Sequence, residues 1–422
     1  MTALWHPFAD MADVQRDGEF VLSVGRGQFV FDAAGRKYLD MTAGLWFANV
    51  GHGRREIADA VAEQTAKLAA YSTFGDMANE PVLALAERVA AIAPMPAAKV
   101  FFTSGGSDAV DTAVKLVRRY WNLVGEPDRT TIITRERAYH GMHWGGTGLS
   151  GIEPNRAGHG DFGADAAHAP WNDASALADL IDERGANNVA AFFCEPIIGA
   201  GGVYSAGAAY LTKAREVCRE RGVLWVSDEV ITGFGRTGAW FASTRFDLDP
   251  DLMLTAKGLT SGYVPMGAVI ASTQVAAPFF APGAGAWRHG YTYSGHAVAA
   301  AAALVNLDII EREGLVDRVA AMETVLERQL KPLVDHPMVT DVRSGVGLLG
   351  AVQLDPGSST ATAGRIARVL AGLRDRGVLS RGLVDGSLQI SPPFVIEESD
   401  LEFFGKQCAG AMSAVLAAER NS

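Results

Sequence analysis

The sequence has little cysteine and no basic cluster, and these absences exclude several classes of protein. The three cysteines, Cys194, Cys218 and Cys408, are far apart and follow neither disulfide nor metal-ligand spacing, which is typical of a reducing cytosol. The 9 histidines include no HExxH-type pair, so we expect no metal site. A net charge of −11 without any basic run argues against a nucleic-acid partner.

Long apolar runs are also missing. The longest run of small apolar residues, 297–305, is about half of the roughly 20 residues that a membrane-spanning helix needs. The first residues carry no basic stretch followed by an apolar region, so no signal peptide is expected and we predict a cytoplasmic protein. Glycine, in contrast, is abundant at 47 of 422 residues, which indicates many tight turns or close approaches of backbone to a ligand.

Strand-like and helix-like segments alternate through the middle of the chain. Apolar strands are predicted at residues 99–103, 131–134, 189–194, 223–230 and 251–256, with helical patterns between several of them. This alternation predicts an α/β fold with a mostly parallel, doubly wound sheet. The Gly- and Pro-rich region 145–170 is interpreted as irregular. Because both chain ends mix short strands with helices, we predict a large domain over residues 56–325 and a smaller α+β domain from residues 1–55 and 326–422.

Two of these strands end on charged residues. The first contains Asp228 and Glu229 near its end, and the second ends just before Lys257. Ligands bind at the carboxyl ends of parallel strands, so Asp228 and Lys257 are expected at a common site. Each residue alone also has a simpler explanation, since an Asp-Glu pair often caps a helix and a lysine after a strand is usually solvated. If both are buried, however, each needs a partner.

A third strand is followed by a loop that suits a phosphate group. The strand Lys99–Thr103 leads into Ser104-Gly105-Gly106-Ser107, and a helix follows from Asp108. This order offers backbone N–H groups and the positive end of a helix to an anion. The loop matches neither GxxxxGK[ST] nor GxGxxG. Pyridoxal 5′-phosphate would use all three features, since it has a phosphate, a ring nitrogen that must stay protonated and an aldehyde that a lysine binds as a Schiff base.

Several motifs together resemble the class III aminotransferases, the fold-type I pyridoxal-phosphate enzymes that include the ω-amino acid:pyruvate transaminases. The resemblance covers nearly the whole chain, and its most specific motif runs from Asp228 to Gly238. The other matching motifs are Thr255-Ala256-Lys257-Gly258, Tyr139-His140-Gly141, Glu195-Pro196 with Gly201-Gly202, and the segment from His289 to His296.

The resemblance implies roles for individual residues. Lys257 would hold the cofactor and shuttle a proton, with its pKa lowered by burial, and Asp228 would pair with the pyridinium nitrogen. Thr292 would reach the phosphate of the neighbouring subunit, which implies a homodimer, or a tetramer, with sites at the interface. The remaining cofactor contacts implied are Gly106, Ser107, Tyr139, His140, Glu195 and Val230.

The resemblance also implies a substrate pocket formed by Trp46, Tyr71, Phe74, Tyr139 and Arg381. Arg381 would bind a substrate carboxylate, although its loop is one residue longer than the family pattern and a solvated loop arginine is the alternative. Gly105 stands where the family usually has serine, so one hydroxyl is lost from the phosphate loop while the backbone donors remain.

The function that the resemblance implies is amino transfer from an amine or ω-amino acid to a keto acid such as pyruvate, in a ping-pong sequence. One alternative is an aminomutase or a decarboxylating aminotransferase of the same family, which would share Asp228 and Lys257. Another is a non-catalytic protein that binds a small anion on the same fold.

Overall fold

The computed structural model describes residues 3–163, 165–356 and 362–420, and this part of the chain contains three β-sheets. The strands are β1 Leu22–Arg26, β2 Phe29–Asp32, β3 Lys37–Asp40, β4 Lys99–Thr103, β5 Thr131–Arg135, β6 Ala166–Ala169, β7 Val189–Cys194, β8 Leu224–Asp228, β9 Leu252–Thr255, β10 Gly267–Ala271, β11 Val339–Arg343, β12 Gly350–Leu354, β13 Val378–Leu379 and β14 Ser387–Ile390. The helices are α1 Met11–Asp17, α2 Ala43–Trp46, α3 Arg55–Leu68, α4 Glu80–Ile92, α5 Gly106–Leu123, α6 Trp144–Leu149, α7 Ala174–Arg184, α8 Gly207–Glu220, α9 Ala242–Arg245, α10 Thr273–Phe280, α11 Ala297–Arg312, α12 Leu315–Leu330, α13 Thr362–Asp375 and α14 Glu398–Arg420.

The central sheet has the order β4-β10-β9-β8-β7-β5-β6. Only β10 runs antiparallel to its neighbours, and the other adjacent pairs are parallel. Alternate side chains of the strands pack on opposite faces: Phe193 and Val226 lie in the core with α5, whereas Phe192 and Trp225 lie in the core with α7 and α8. Burial on both faces explains why these strands read as continuous apolar runs, and the predicted mostly parallel α/β sheet is confirmed.

Residues 145–170 are more regular than the composition predicts. They contain most of α6, and β6 pairs in parallel with β5 at the sheet edge, with Ala166 opposite Ile132. Neither element has strong local propensity, so tertiary packing creates them. In α6, a Cβ on Gly146 would lie 2.3 Å from the carbonyl oxygen of His140. The glycine therefore allows a close approach of two backbone segments, whereas composition alone suggests a loop.

The two chain ends meet in one of the smaller sheets. β13 pairs in parallel with β3, where Val378 lies opposite Leu39, and this extends the antiparallel ribbon of β1, β2 and β3. The third sheet has the order β11-β12-β14. The division of the chain at residues 56 and 325 remains a prediction. Within the described ranges, no helix is long and apolar enough to cross a membrane.

Candidate active site

The carboxyl ends of three neighbouring strands bring the predicted charged residues together. β8 ends on Asp228, which lies opposite Leu254 of β9, so Lys257 follows at the same edge. β7 lies on the other side of β8 and is followed directly by Glu195. β10 starts at Gly267 opposite Thr103, which places the loop before α5 at this edge as well. The common edge expected from the sequence is therefore present.

A cavity of about 690 Å³ opens at this edge. The predicted site residues that line it are Trp46, Gly106, Ser107, Tyr139, His140, Glu195, Asp228, Val230, Lys257 and Arg381. Residues at distant sequence positions thus share one wall, which the spacing of the motifs alone does not reveal.

Asp228 is held by two hydrogen bonds. Its Oδ2 accepts one from Nδ1 of His140 at 2.8 Å, and its Oδ1 accepts one from the backbone N–H of Val230 at 3.1 Å. The Nε2 of His140 lies 3.1 Å from the hydroxyl of Thr134, and both of these side chains are fully buried. Because a carboxylate only accepts, Nδ1 of His140 carries the proton in this contact. The carboxylate at the cavity wall is therefore fixed in orientation.

Glu195 supports the backbone around the cavity. Its Oε1 accepts from the N–H of Tyr139 and its Oε2 from the N–H of Gly199, both at 2.9 Å. Burial raises the pKa of Glu195, an effect that the nearby His140 opposes. The side chain thus joins the loop that carries Tyr139 to the loop that follows β7.

Lys257 combines a strained backbone with a perturbed amine. Its φ of 44° lies in the left-handed region, which non-glycine residues rarely adopt and which often marks a functional position. Burial lowers the pKa of the Lys257 amine to about 8, and Asp228 and Glu195 partly oppose this shift. Within the described ranges the ammonium has no ion-pair partner, and its Nζ lies 5.8 Å from the centre of the Trp46 ring. A substantial share of the amine is therefore neutral near pH 8.

The N-terminus of α5 forms a tightly built cradle. The first N–H groups of an α-helix have no partner inside the helix and point outward. A Cβ on Gly106 would lie 3.0 Å from Cγ1 of Val230, and a Cβ on Gly141 would lie 2.5 Å from Oγ of Ser107. The same Oγ accepts a hydrogen bond from the N–H of Met142 at 3.1 Å. Gly105 has an extended φ of 177°, so its backbone conformation does not require glycine.

Arg381 lines the same cavity as Asp228 and Lys257. Its guanidinium lies 5.1 Å from the centre of the Trp46 ring, and burial lowers its pKa while Tyr139 opposes the shift. No acidic side chain in the described part of the chain pairs with it. Trp46 itself is buried with a φ of 61°, and a kinked backbone at α2 presents its ring to both Arg381 and Lys257.

Three predicted site residues do not line this cavity. Tyr71 and Phe74 are 60% and 52% exposed, and Thr292 is also exposed. Segments 71–74 and 290–294 meet away from the cavity, where a Cβ on Gly290 would be 3.1 Å from Phe74 and the hydroxyl of Thr73 donates to the carbonyl oxygen of Ser294. The single chain therefore separates these residues from the pocket that the resemblance assigned to them.

Some cavity residues were missed in the sequence. Pro7 and Phe8 come from the N-terminal segment, Asn155 comes from the region interpreted as irregular, and Ala200 and Val384 come from loops. Phe8 has a φ of 54°, a backbone conformation that no sequence pattern signalled. The position of Ala200 in the cavity wall could have been predicted, because this residue lies between the motif residues Glu195 and Gly201-Gly202.

The motif from Asp228 to Gly238 is mostly scaffold. The carboxylate of Glu229 is fully buried and accepts from the hydroxyl of Thr232 and from the N–H groups of Ala242 and Ser243. Arg236 donates to Pro392 and Leu348 carbonyl oxygens and to Oδ1 of Asn49, which ties this loop to distant segments. Asp228 is thus the one charged group of the motif that lines the cavity in the described structure.

The cavity has the chemistry that pyridoxal 5′-phosphate requires. Asp228 offers an anion to a protonated ring nitrogen, and Lys257 offers an amine without an ion-pair partner in the described ranges. The crowded cradle at Gly106 and Ser107 offers helix N–H groups to a phosphate. A mostly parallel sheet with these groups at its carboxyl edge defines the class: a fold-type I transferase.

Comparisons with known proteins identify the family. Residues 12–412 match the family model described as aminotransferase class III. The chain is 38% identical to a putrescine–pyruvate aminotransferase from Pseudomonas aeruginosa over 94% of this chain and 91% of the relative. It is 39% identical to an omega-amino acid–pyruvate aminotransferase from Pseudomonas putida, over 84% of each. The chain belongs to the class III aminotransferases, and the resemblance seen in its motifs is confirmed.

Solved structures agree with this assignment. A transaminase from the marine bacterium Virgibacillus superposes with a TM-score of 0.93 at 38% identity, over 98% of this chain and 97% of that one. A thermostable (S)-enantioselective omega-transaminase from Thermomicrobium roseum gives a TM-score of 0.94 at 36% identity, over 97% and 96% of the two chains. The protein is therefore an enzyme that transfers amino groups.

Proposed function

We propose that this chain uses pyridoxal 5′-phosphate, held by Lys257 and Asp228, to move an amino group from an amine or ω-amino acid to a keto acid such as pyruvate. The observation that carries the proposal is the shared cavity, in which an oriented carboxylate, a helix N-terminus and a lysine with no ion pair to any described residue lie at one sheet edge. The pyruvate aminotransferase names of the two relatives from Pseudomonas support the choice of acceptor.

Each half of the reaction needs a proton moved at the carbon that carries the amino group. Bound pyridoxal phosphate supplies an aldehyde that accepts the amino group and a ring that takes up electrons. The Nζ of Lys257, with its pKa lowered to about 8, is the base that takes this proton and returns it. Asp228, oriented by His140, keeps the ring nitrogen protonated because an adjacent anion favours the charged form.

Arg381 is proposed to bind the carboxylate of the keto acid. It is a partly buried cation in the cavity wall and has no acidic partner in the described part of the chain. Arginine binds carboxylates in a bidentate geometry, whereas the surrounding apolar side chains and Trp46 suit an amine without a carboxylate. One cavity would thus accept both substrates in turn.

The proposal includes a homodimer with sites at the interface. Its support is the exposure of Tyr71, Phe74 and Thr292, which lie outside the cavity that the resemblance assigns to them. In a dimer, these residues would complete the cavity of the neighbouring subunit, and Thr292 would reach the phosphate there. A cytoplasmic location is part of the same proposal, since the three cysteines are free and buried.

A donor and acceptor panel tests the proposal. The holoenzyme is incubated with amines, diamines and ω-amino acids, and with pyruvate or 2-oxoglutarate as acceptor. Stoichiometric formation of alanine from pyruvate, without carbon dioxide, is expected. Release of carbon dioxide would favour a decarboxylating aminotransferase, and isomerised amine without consumption of keto acid would favour an aminomutase. Absence of turnover with every pair would contradict the proposed substrates.

A further inference from the structure

The loop that carries Arg381 is a short hairpin between β13 and β14. The carbonyl oxygen of Arg381 accepts from the N–H of Gln389 at 2.9 Å, and the N–H of Leu383 donates to the carbonyl oxygen of Ser387 at 2.7 Å. The N–H of Gly386 donates to the carbonyl oxygen of Leu383 at 3.0 Å and closes the turn. We call residues 381–386 the Arg381 hairpin. Its Arg381 to Val384 side forms part of the cavity wall.

Asp385, at the far end of this hairpin, uses both carboxylate oxygens. Oδ1 accepts from the N–H and the hydroxyl of Ser387, at 3.0 and 2.6 Å, at the start of β14. Oδ2 accepts from Nη2 of Arg343 at 2.7 Å and from the hydroxyl of Tyr204 at 3.0 Å. The Asp385 side chain is 10% exposed and that of Arg343 is 13% exposed, so water weakens this pair far less than an ion pair at the surface.

Tyr204 connects this carboxylate to the cofactor side of the cavity. The backbone of Tyr204 bridges Ile198, in the loop that also contains Gly199, which is bonded to Glu195. The Arg343 guanidinium lies 4.2 Å from the centre of the Tyr204 ring. The fit is tight, because a Cβ on Gly202 would lie 2.3 Å from Oδ2 of Asp385, and the φ of 136° there also favours glycine.

We propose that Asp385 is the positioning residue for Arg381, and this inference rests on the proposed carboxylate-binding role of Arg381. Its bonds to Arg343 and Tyr204 fix the Arg381 hairpin relative to the loop that holds Glu195. They thereby set the distance between the reacting centre and the guanidinium. Bidentate binding of a carboxylate depends on this geometry, and small misplacements of a binding group are costly. Substrates without a carboxylate make no use of it.

The test compares a keto acid with an amine that lacks a carboxylate, using holoenzyme variants. Asp385→Asn retains an oxygen for Ser387 but removes the charge that faces Arg343. The KM for pyruvate should rise about tenfold, while kcat/KM for the amine should stay within about twofold. Tyr204→Phe removes one hydrogen bond and should raise the KM for pyruvate about threefold. The matched control is Asp341→Asn. The Asp341 carboxylate also pairs with Arg343 but is 53% exposed, so this variant should change neither the KM for pyruvate nor kcat/KM for the amine.

A second comparison separates positioning from general loss of structure. In the Arg381→Ala background, Asp385→Asn should have no further effect on pyruvate, because the residue that it positions is gone. The inference would be overturned if Asp385→Asn lowered kcat/KM equally for pyruvate and for the amine. It would also be overturned if Asp385→Asn left the kinetics unchanged while Arg381→Ala impaired pyruvate binding. If Asp385→Asn does not fold, Tyr204→Phe decides by the same criteria. An Arg381→Ala variant with a normal KM for pyruvate would remove the role of Arg381 and this inference with it. A wild-type enzyme without any amino transfer would overturn the proposed function instead.

Discussion

The Nδ1 atom of His140 lies 2.8 Å from Oδ2 of Asp228, and the other ring nitrogen faces the buried hydroxyl of Thr134. The imidazole therefore fixes the orientation of the carboxylate and satisfies one of its oxygens. This contact joins a motif after β5 to the end of β8, two strands away in the central sheet.

Replacing His140 tests this contact. His140→Ala should lower kcat about 10- to 100-fold, because a buried carboxylate that loses its hydrogen-bond donor is misoriented. His140→Asn retains an amide donor near the Nδ1 position and should recover most of the activity. Steady-state kinetics with a fixed amine and pyruvate provide the measurement. Equal losses in the two variants would show that the donor to Asp228 is unimportant.

The pKa of Lys257 predicts how cofactor capture depends on pH. Only a neutral amine attacks an aldehyde, and burial lowers the pKa of this amine from its ordinary value near 10.5 to about 8. The rate at which apoprotein captures pyridoxal phosphate should therefore rise with pH up to about 8 and level off above it. Stopped-flow absorbance from about pH 6.5 to about pH 10 measures this. A rate that still rises steeply near pH 10 would indicate an ordinary, solvated lysine.

A hybrid dimer tests whether Thr292 acts on the neighbouring site. When Lys257→Ala and Thr292→Ala subunits are combined, a Thr292 that acts in trans leaves one site with both native residues. That site should bind pyridoxal phosphate with wild-type affinity and give about half of the wild-type activity per dimer. If Thr292 acts within its own chain, every competent site in the hybrid lacks it. The hybrid would then have the weaker cofactor affinity of the Thr292→Ala homodimer.

Arg236 is expected to matter for stability rather than chemistry. The side chain is fully buried, burial lowers its pKa to about 9, and it donates to three oxygen atoms of distant segments. Arg236→Met should reduce the free energy of unfolding by about 3 kcal/mol, because those acceptors lose their charged donor. Denaturant unfolding of the apoprotein measures the change. The surface variant Arg55→Met, which removes an exposed ion pair with Asp59, should cost less than about 1 kcal/mol.

The sequence predicts the central sheet and its functional edge well for a physical reason. Strands such as β7 and β8 are buried on both faces, so they appear as unbroken apolar runs whose ends are easy to locate. Asp228 and Lys257 stand out because they break these runs with charge. The glycine-rich loop before α5 is also recognisable, because it separates an apolar strand from a helical pattern.

Other features depend on tertiary contacts that local sequence does not encode. β6 is a strand because β5 offers it an open edge, not because its residues favour strands. Phe8 lines the cavity only because the N-terminal segment folds back over it. The resemblance implies that Tyr71 and Phe74 share a pocket with Trp46, but neither of them lines the cavity in the described structure. No sequence pattern marks Asp385, because its partners Tyr204 and Arg343 are distant from it in the chain.

Amino transfer in two separate halves tests the central claim most directly. Holoenzyme is mixed with one equivalent of an amine and no acceptor, and the carbonyl product is measured before pyruvate is added. We predict one carbonyl product per site in the first step and one alanine per site in the second, with neither formed by Lys257→Ala. Alanine formation only when both substrates are present together, or unchanged activity of Lys257→Ala, would contradict the account.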